Sequence, residues 1–253
     1  MKKIHFLCSL PRAGQTLFAS LLNNTNKITV TANSITPEIL YNLSSFKKDQ
    51  LFLNFPDHKS LDNLINNSLQ IYYKDWKTNH ILDRSPWGTQ GNLSLIKHIK
   101  GSGKFIILYR PILECLASYV KAMNPSDIER FCSTAMSPGN MLAKHIESMH
   151  NLLISNKSFL IISYENLTTN PVNTLNTVLK YLNIKHKIKR LKINQLNING
   201  VTYDDTVIGK PIHKVKTNNI IKSTIDINKY LPKKIIDKYT EINGALDKLI
   251  KKQ

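Results

Sequence analysis

Apolar residues along this chain fall into two patterns. Some form short uninterrupted runs, and others recur every three or four positions. Ile4–Ser9, Lys104–Tyr109 and Phe159–Ser163 are runs of the first kind, and their length and lack of polar alternation predict strands buried on both faces. Two shorter stretches, Ile28–Thr31 and His80–Asp83, predict further strands. Between them, helical spacing predicts helices over Thr16–Leu22, Pro37–Phe46, Ser60–Tyr73, Leu93–Ile99, Pro111–Lys121, Asn140–Ile154 and Pro171–Leu182. Pro111 suits the first position of its helix. A last helix is expected over Leu231–Ile250, with a break near Gly244. Gly101-Ser102-Gly103 reads as a turn. The polar, weakly periodic stretch Asn194–Asn219 reads as a long loop, which in a compact domain often carries function.

Strands that alternate with helices predict an α/β fold, with a parallel β-sheet flanked by helices in a single domain over residues 1–253. Ligands of such sheets bind beyond the carboxyl ends of the strands, so the loops after the strands are where chemistry is to be sought.

Composition narrows this further. No apolar run approaches the roughly 18 to 20 residues that span a bilayer. The short apolar start ends in Pro-Arg, not a small-residue cleavage site, so a first strand and a cytoplasmic protein are expected. Three cysteines (Cys8, Cys115, Cys132) without a CxxC pair argue against a disulfide scaffold or a structural zinc; Cys8 and Cys115 sit in apolar runs, as buried fillers would. The net charge of +18 fits an acidic partner, but the lysines are scattered apart from a cluster at 185–192, so no specific nucleic acid is expected. Arginine is rare: Arg12, Arg84, Arg110, Arg130 and Arg190. In a chain that uses Lys by default, Arg marks places where a planar, forked donor is needed.

Two of those arginines stand at strand ends. After the first strand comes Pro11-Arg12-Ala13-Gly14-Gln15-Thr16, opening a helix. Backbone N–H groups of such a turn, together with the helix N-terminus, form an anion site; Gly14 allows close approach, and Arg12 and Thr16 add donors. A nucleoside-triphosphate loop would read GxxxxGK[ST]. The first Gly is missing here and Gln15 stands where the Lys would be, which disfavours an ATPase or GTPase. After the strand Lys104–Tyr109 comes Arg110, with Ser118 eight residues on, about two helical turns into the following helix.

Together these segments resemble the sulfotransferases. Pro11, Arg12, Gly14 and Thr16 match the family's 5′-phosphosulfate loop, and Ala13 and Gln15 depart from its usual hydroxyl residues. Arg110 and Ser118 match its 3′-phosphate motif. Asp83-Arg84-Ser85-Pro86-Trp87 is similar to a segment that bacterial relatives place beside the acceptor. Ser163-Tyr164-Glu165-Asn166-Leu167 resembles a structural strand-to-helix junction. His213-Lys214-Val215-Lys216 resembles a basic segment that closes on the nucleotide. The match extends from about residue 3 to about residue 217, closest to the bacterial and tyrosylprotein-sulfotransferase-like branch.

The resemblance implies a P-loop NTPase-like sulfotransferase fold, with 3′-phosphoadenylyl sulfate (PAPS) as donor, 3′,5′-adenosine bisphosphate (PAP) as product and no metal. The acceptor would be a hydroxyl- or amine-bearing carbohydrate, peptide, lipid or metabolite. It assigns the donor site to Pro11, Arg12, Ala13, Gly14, Gln15, Thr16, Arg110, Ser118, His213, Lys214 and Lys216. Arg12 would act at the leaving phosphate, Arg84 would orient an acidic acceptor or the transferring sulfuryl, and Glu38 would be the proton acceptor, with Asp83 and His80 as alternatives. Residues 42–79 and 125–140 are expected to shape the acceptor site. Three other readings stay open: a P-loop-type kinase, a non-catalytic basic nucleotide or polyanion binder, and a sulfotransferase-like fold that transfers nothing.

Overall fold

The computed structural model describes residues 1–215 and 220–252. In chain order the elements are β1 (Lys3–Ser9), α1 (Gln15–Asn23), β2 (Ile28–Val30), α2 (Thr36–Ser45), α3 (Gln50–Asn54), α4 (His58–Tyr72), β3 (His80–Arg84), α5 (Gln90–Ile96), β4 (Ser102–Tyr109), α6 (Ile112–Met123), α7 (Ile128–Met136), α8 (Met141–Leu153), β5 (Phe159–Ser163), α9 (Tyr164–Thr169), α10 (Pro171–Tyr181), β6 (Asn197–Ile198), β7 (Val201–Thr202), α11 (Ile227–Tyr230) and α12 (Lys233–Lys251). The α/β expectation holds. Strands β1 to β5 form one parallel sheet in the order β2-β3-β1-β4-β5, and β6 and β7 pair separately as an antiparallel hairpin.

The order follows from burial. Every residue of β1 after Lys3 is buried, as suits a central strand with helices on both faces. The chain leaves β1 toward β2 and β3 on one side, then crosses to β4 and β5 on the other. The strand order therefore reverses between β1 and β4, and the loops carrying Arg12 and Arg110 flank that reversal, where open α/β sheets bind ligands.

Three expectations change. Strand β4 begins at Ser102, inside the expected turn: Gly101 (φ 78°) makes the turn, while Gly103 lies in the strand, where a Cβ would come within 2.4 Å of His5 Nδ1. Helix α12 runs unbroken through Gly244, where a Cβ would touch nothing within 4 Å, and buried Ile235, Tyr239 and Leu246 hold the helix on either side. The polar stretch 194–219 is not all loop. Asn199 and Gly200, both at positive φ (52° and 83°), form the tight turn of the β6–β7 hairpin.

Cys8 and Cys115 are buried fillers, as expected, and Cys132 is buried as well. Burial pushes the Cys8 thiol up to about 11 and the Cys115 thiol up to about 12. No helix of the described residues is long and apolar enough to cross a membrane.

Candidate functional site

Beyond the carboxyl end of β1 the Ala13 N–H donates to Leu10 O at 3.2 Å, closing the turn, and the Ala13 methyl is fully buried. Arg12 (φ 70°) and Gly14 (φ 91°) both adopt the left-handed conformation. Glycine does so freely, while a residue with a Cβ gives up about 1–2 kcal/mol. Strain of this kind persists where the surroundings enforce it, commonly at ligand sites. The first N–H groups of α1 have no partner within the helix. No side chain caps them and no acidic residue sits in the first turn, so the positive end of the helix dipole is left for an anion. Thr16 is half-buried in that first turn. Gln15 turns inward: its amide donates to Ser9 O at 3.2 Å and to Ser9 Oγ. It braces the loop to β1 and does not project as a phosphate-binding lysine would.

Arg110 follows β4 and is buried. Its Nε–H donates to Glu114 Oε2 at 3.0 Å, one terminal nitrogen to Arg12 O at 3.3 Å and the other to Ser223 O at 2.9 Å. The guanidinium lies 4.3 Å from the centre of the Tyr164 ring, and Tyr164 OH accepts from the Ser223 N–H at 3.1 Å. Arg12 in turn donates to Ser118 Oγ at 3.5 Å and to Ile212 O at 3.1 Å. Burial, and then the charge of Arg110, lower the pKa of Arg12. The structure thus joins the two sequence motifs in one cluster. Among the described residues one carboxylate, Glu114 on Arg110, is bonded to this pair of guanidinium groups, and Arg12 is bonded to none. Buried charge is normally paired, and the unbalanced cation together with the uncapped helix end fits an anionic ligand.

Arg84 ends β3, which lies beside β1. It donates to Tyr203 OH at 2.7 Å, and the Tyr203 ring stacks on His213 with centroids 4.0 Å apart and planes 5° from parallel. His213 Nδ1 donates to Asp205 Oδ1 at 2.6 Å. Burial works to raise the Asp205 carboxyl, but the bonds from the His213 ring and backbone outweigh it and leave it lowered. Asp83 faces away from Arg84. It is fully buried and accepts from Ser34, Thr36, Tyr73 and Trp87, and so ties the β2–α2 loop to α4 and the β3–α5 turn. His80 stands at the amino end of β3, paired with His5, on the far side of the sheet from the arginines. Neither is placed to serve as a base.

Glu38 lies exposed in the first turn of α2, 3.9 Å from Lys144, and is not brought to the arginine cluster. Lys214 is exposed, one residue from His213, and Lys216 lies outside the described residues. Three contributors carried no motif in the sequence: Ser223, Tyr203 and His145. Tyr164 was expected only as part of a structural strand-to-helix junction, and the end of β5, the neighbour of β4, brings its ring to Arg110. Half-buried His145 on α8 donates from Nδ1 to Met141 O at 2.7 Å. Burial first, and then the charges of Arg84 and Lys144, against the Met141 bond, push its pKa down to about 4.

The family model that matches the chain, described as the Sulfotransferase family, covers residues 5–187. Among solved structures, the sulfotransferase domain of the Synechococcus PCC 7002 olefin synthase is similar at 12% identity and a TM-score of 0.54, over 95% of this chain and 96% of that one. Mouse sulfotransferase SULT7A1, solved with PAP, is similar at 14% identity and a TM-score of 0.53, over 98% of this chain and 89% of that one. At these identities the likeness is one of fold. No curated protein matches the chain.

Proposed function

The chain belongs to the sulfotransferase family, and we propose that it moves a sulfuryl group from PAPS to a hydroxyl- or amine-bearing acceptor and releases PAP. The observation that carries this reading is the meeting of Arg12, Arg110 and Ser118 at the strand-order reversal. PAPS carries phosphate at both the 5′ and 3′ positions, so it asks for two anion sites on one face. The structure of the similar mouse enzyme with PAP supports the choice of donor.

In this reading the loop Pro11–Thr16 and the start of α1 hold the 5′ end. Arg12 stabilises charge that develops on the leaving phosphate, as preorganised donors do in displacements of this kind. Ala13 and Gln15 contribute backbone and bracing, not hydroxyls. Arg110, fixed by Glu114 and the Tyr164 ring, and Ser118 hold the 3′-phosphate and select the donor over ATP. The segment carrying His213 and Lys214 closes over the loop, and the Ile212 carbonyl already binds Arg12. Arg84 stands on the acceptor side.

The test is calorimetric binding of PAP, ATP and AMP to the full chain and to Arg110→Ala. PAP should bind at least tenfold more tightly than ATP, and the variant should lose that preference. Equal affinity for ATP would favour a kinase-like phosphate binder. Affinity for all three that merely collapses with added salt would favour a polyanion binder.

A further inference from the structure

Three long stretches of the chain, residues 1–37, 84–113 and 166–203, hold none of its 17 acidic residues. The structure brings them together at one surface. After α10, residues 184–193 run without helix or strand across α1 and α10. Asn24, at the end of α1, donates to Lys192 O at 2.6 Å, and Asn176 on α10 clamps Ile188, donating to its carbonyl at 3.1 Å and accepting from its N–H at 2.8 Å. Lys104 Nζ donates to Tyr181 O at 2.7 Å, which joins the end of α10 to the amino half of β4. Lys97, Lys104 and Lys157 line a shallow recess there.

Within the strip, Ile184, Ile188 and Ile193 are buried, while Lys185, Lys187, Lys189, Arg190 and Lys192 are all exposed. Among the described residues none of these five cations has a carboxylate partner. Five like charges on about 20 Å of extended chain repel one another. The anchors beneath and the asparagine clamps stop the strip from fanning out as a solvated tail would. A merely solvated face mixes both signs of charge. A lysine-rich composition multiplies cations, but it does not clear carboxylates from the segments that pack beside them.

We infer that this surface docks the protein on an anionic phospholipid membrane. The cations spread over the outside of several elements and line no groove that would grip a duplex. Residues 183–194 contain no aromatic side chain, on which single-stranded bases would stack. All but one of the strip's cations are lysines, point charges that attract without the planar fork that reads guanine edges. Such charges suit lipid headgroups, which are free to gather beneath them. The buried isoleucines leave the strip nothing apolar to insert, so the docking is by charge alone. Asn24, where the strip crosses α1, stands about 14 Å along that helix from the loop carrying Arg12. The arginine cluster therefore stays open when the surface is docked, and the inference does not rest on the donor reading.

The test sediments the full chain with phosphatidylcholine vesicles, with and without about 30% phosphatidylglycerol, at about 0.1 M salt. The anionic vesicles should bind it roughly 30-fold or more tightly than the neutral ones. About 1 M salt, which cuts the screening length to about 3 Å, should release it. Lys187→Gln, Lys189→Gln and Arg190→Gln combined should weaken vesicle binding roughly 30-fold or more, since each cation near such a surface contributes about fivefold. The same loss of charge through Lys233→Gln, Lys248→Gln and Lys252→Gln, at exposed positions in and just after α12, should weaken it less than about fivefold. Both triple variants should keep the thermal stability and the PAP affinity of the wild type. Equal binding to neutral vesicles, equal loss in the two variants, or binding that persists at about 1 M salt would each overturn the proposal. So would a DNA duplex that strips the chain from anionic vesicles at matched phosphate concentration, which would make the strip a nucleic-acid surface. Vesicle binding in a chain blind to PAP would leave the docking surface standing and sink the donor reading instead.

Discussion

The guanidinium of Arg110 lies 4.3 Å from the centre of the Tyr164 ring, and a Cβ added to Gly14 would come within 2.7 Å of Cδ2 of that same ring. One aromatic side chain therefore spaces the loop after β1 against the arginine after β4. A cation over an aromatic face contributes about 0.5–2 kcal/mol. Tyr164→Leu should weaken PAP about tenfold, whereas Tyr164→Phe, which loses only the acceptor for the Ser223 N–H, should weaken it less than threefold. Gly14→Ala combines the ring contact with a left-handed φ and should destabilise the chain by about 1 kcal/mol or more as well as weaken PAP. Calorimetry and thermal unfolding check these together, and equal affinities for the Leu and Phe variants would remove the ring from the donor site.

Arg12 offers a separation of strain from charge. Both Arg12→Ala and Arg12→Gly remove the guanidinium and its bonds to Ser118 and Ile212. Only the glycine variant also releases the left-handed strain at φ 70°. Arg12→Gly should therefore be more stable than Arg12→Ala by about 1 kcal/mol, while both lose PAP affinity and single-turnover rate to a similar extent. Denaturant unfolding decides the first part. Equal stability of the two variants would mean the loop relaxes out of that conformation once the side chain is gone.

The parts of this site legible in the sequence are those set by local chain geometry. The uninterrupted apolar runs gave the sheet, because a strand buried on both faces cannot alternate. Arg12 and Arg110 stood out because each follows such a run and arginine is scarce. The Asn199-Gly200 hairpin was masked because its strands are two residues each, too short for a period of two to register. Gln15 was legible as a departure from the family loop, but not as a brace to Ser9, because its partner depends on the inward rotamer. His213 was read with its basic neighbours as a nucleotide contact. Its ring partners, Asp205 and Tyr203, lie eight and ten residues away across an irregular turn, and no periodicity links them. Tyr164 and Ser223 reach Arg110 only through tertiary packing.

The far end of the sheet carries a pH dependence of its own. The Lys104 N–H donates to His5 Nδ1 at 3.2 Å, so the His5 proton sits on Nε2 and is donated to His80 Nδ1 at 3.1 Å. Burial first, and then the charges of His80, Lys104 and Lys3, push His5 down to about 4 from its usual 6.5; burial and then Lys3 lower His80 as well. A folded-state pKa below the unfolded one means the folded chain binds fewer protons. The stability this confers is fully present above about pH 6.5 and drains away as pH falls toward 4. For His5 the loss is on the order of 2–3 kcal/mol. Protonation would also remove the acceptor that Lys104 uses. His5→Asn keeps a side-chain acceptor and does not titrate, so the stability difference between wild type and His5→Asn should shrink steadily from pH 7 to pH 4. A difference that stays flat over that range in urea titrations would show that His5 is protonated at no cost in the folded chain.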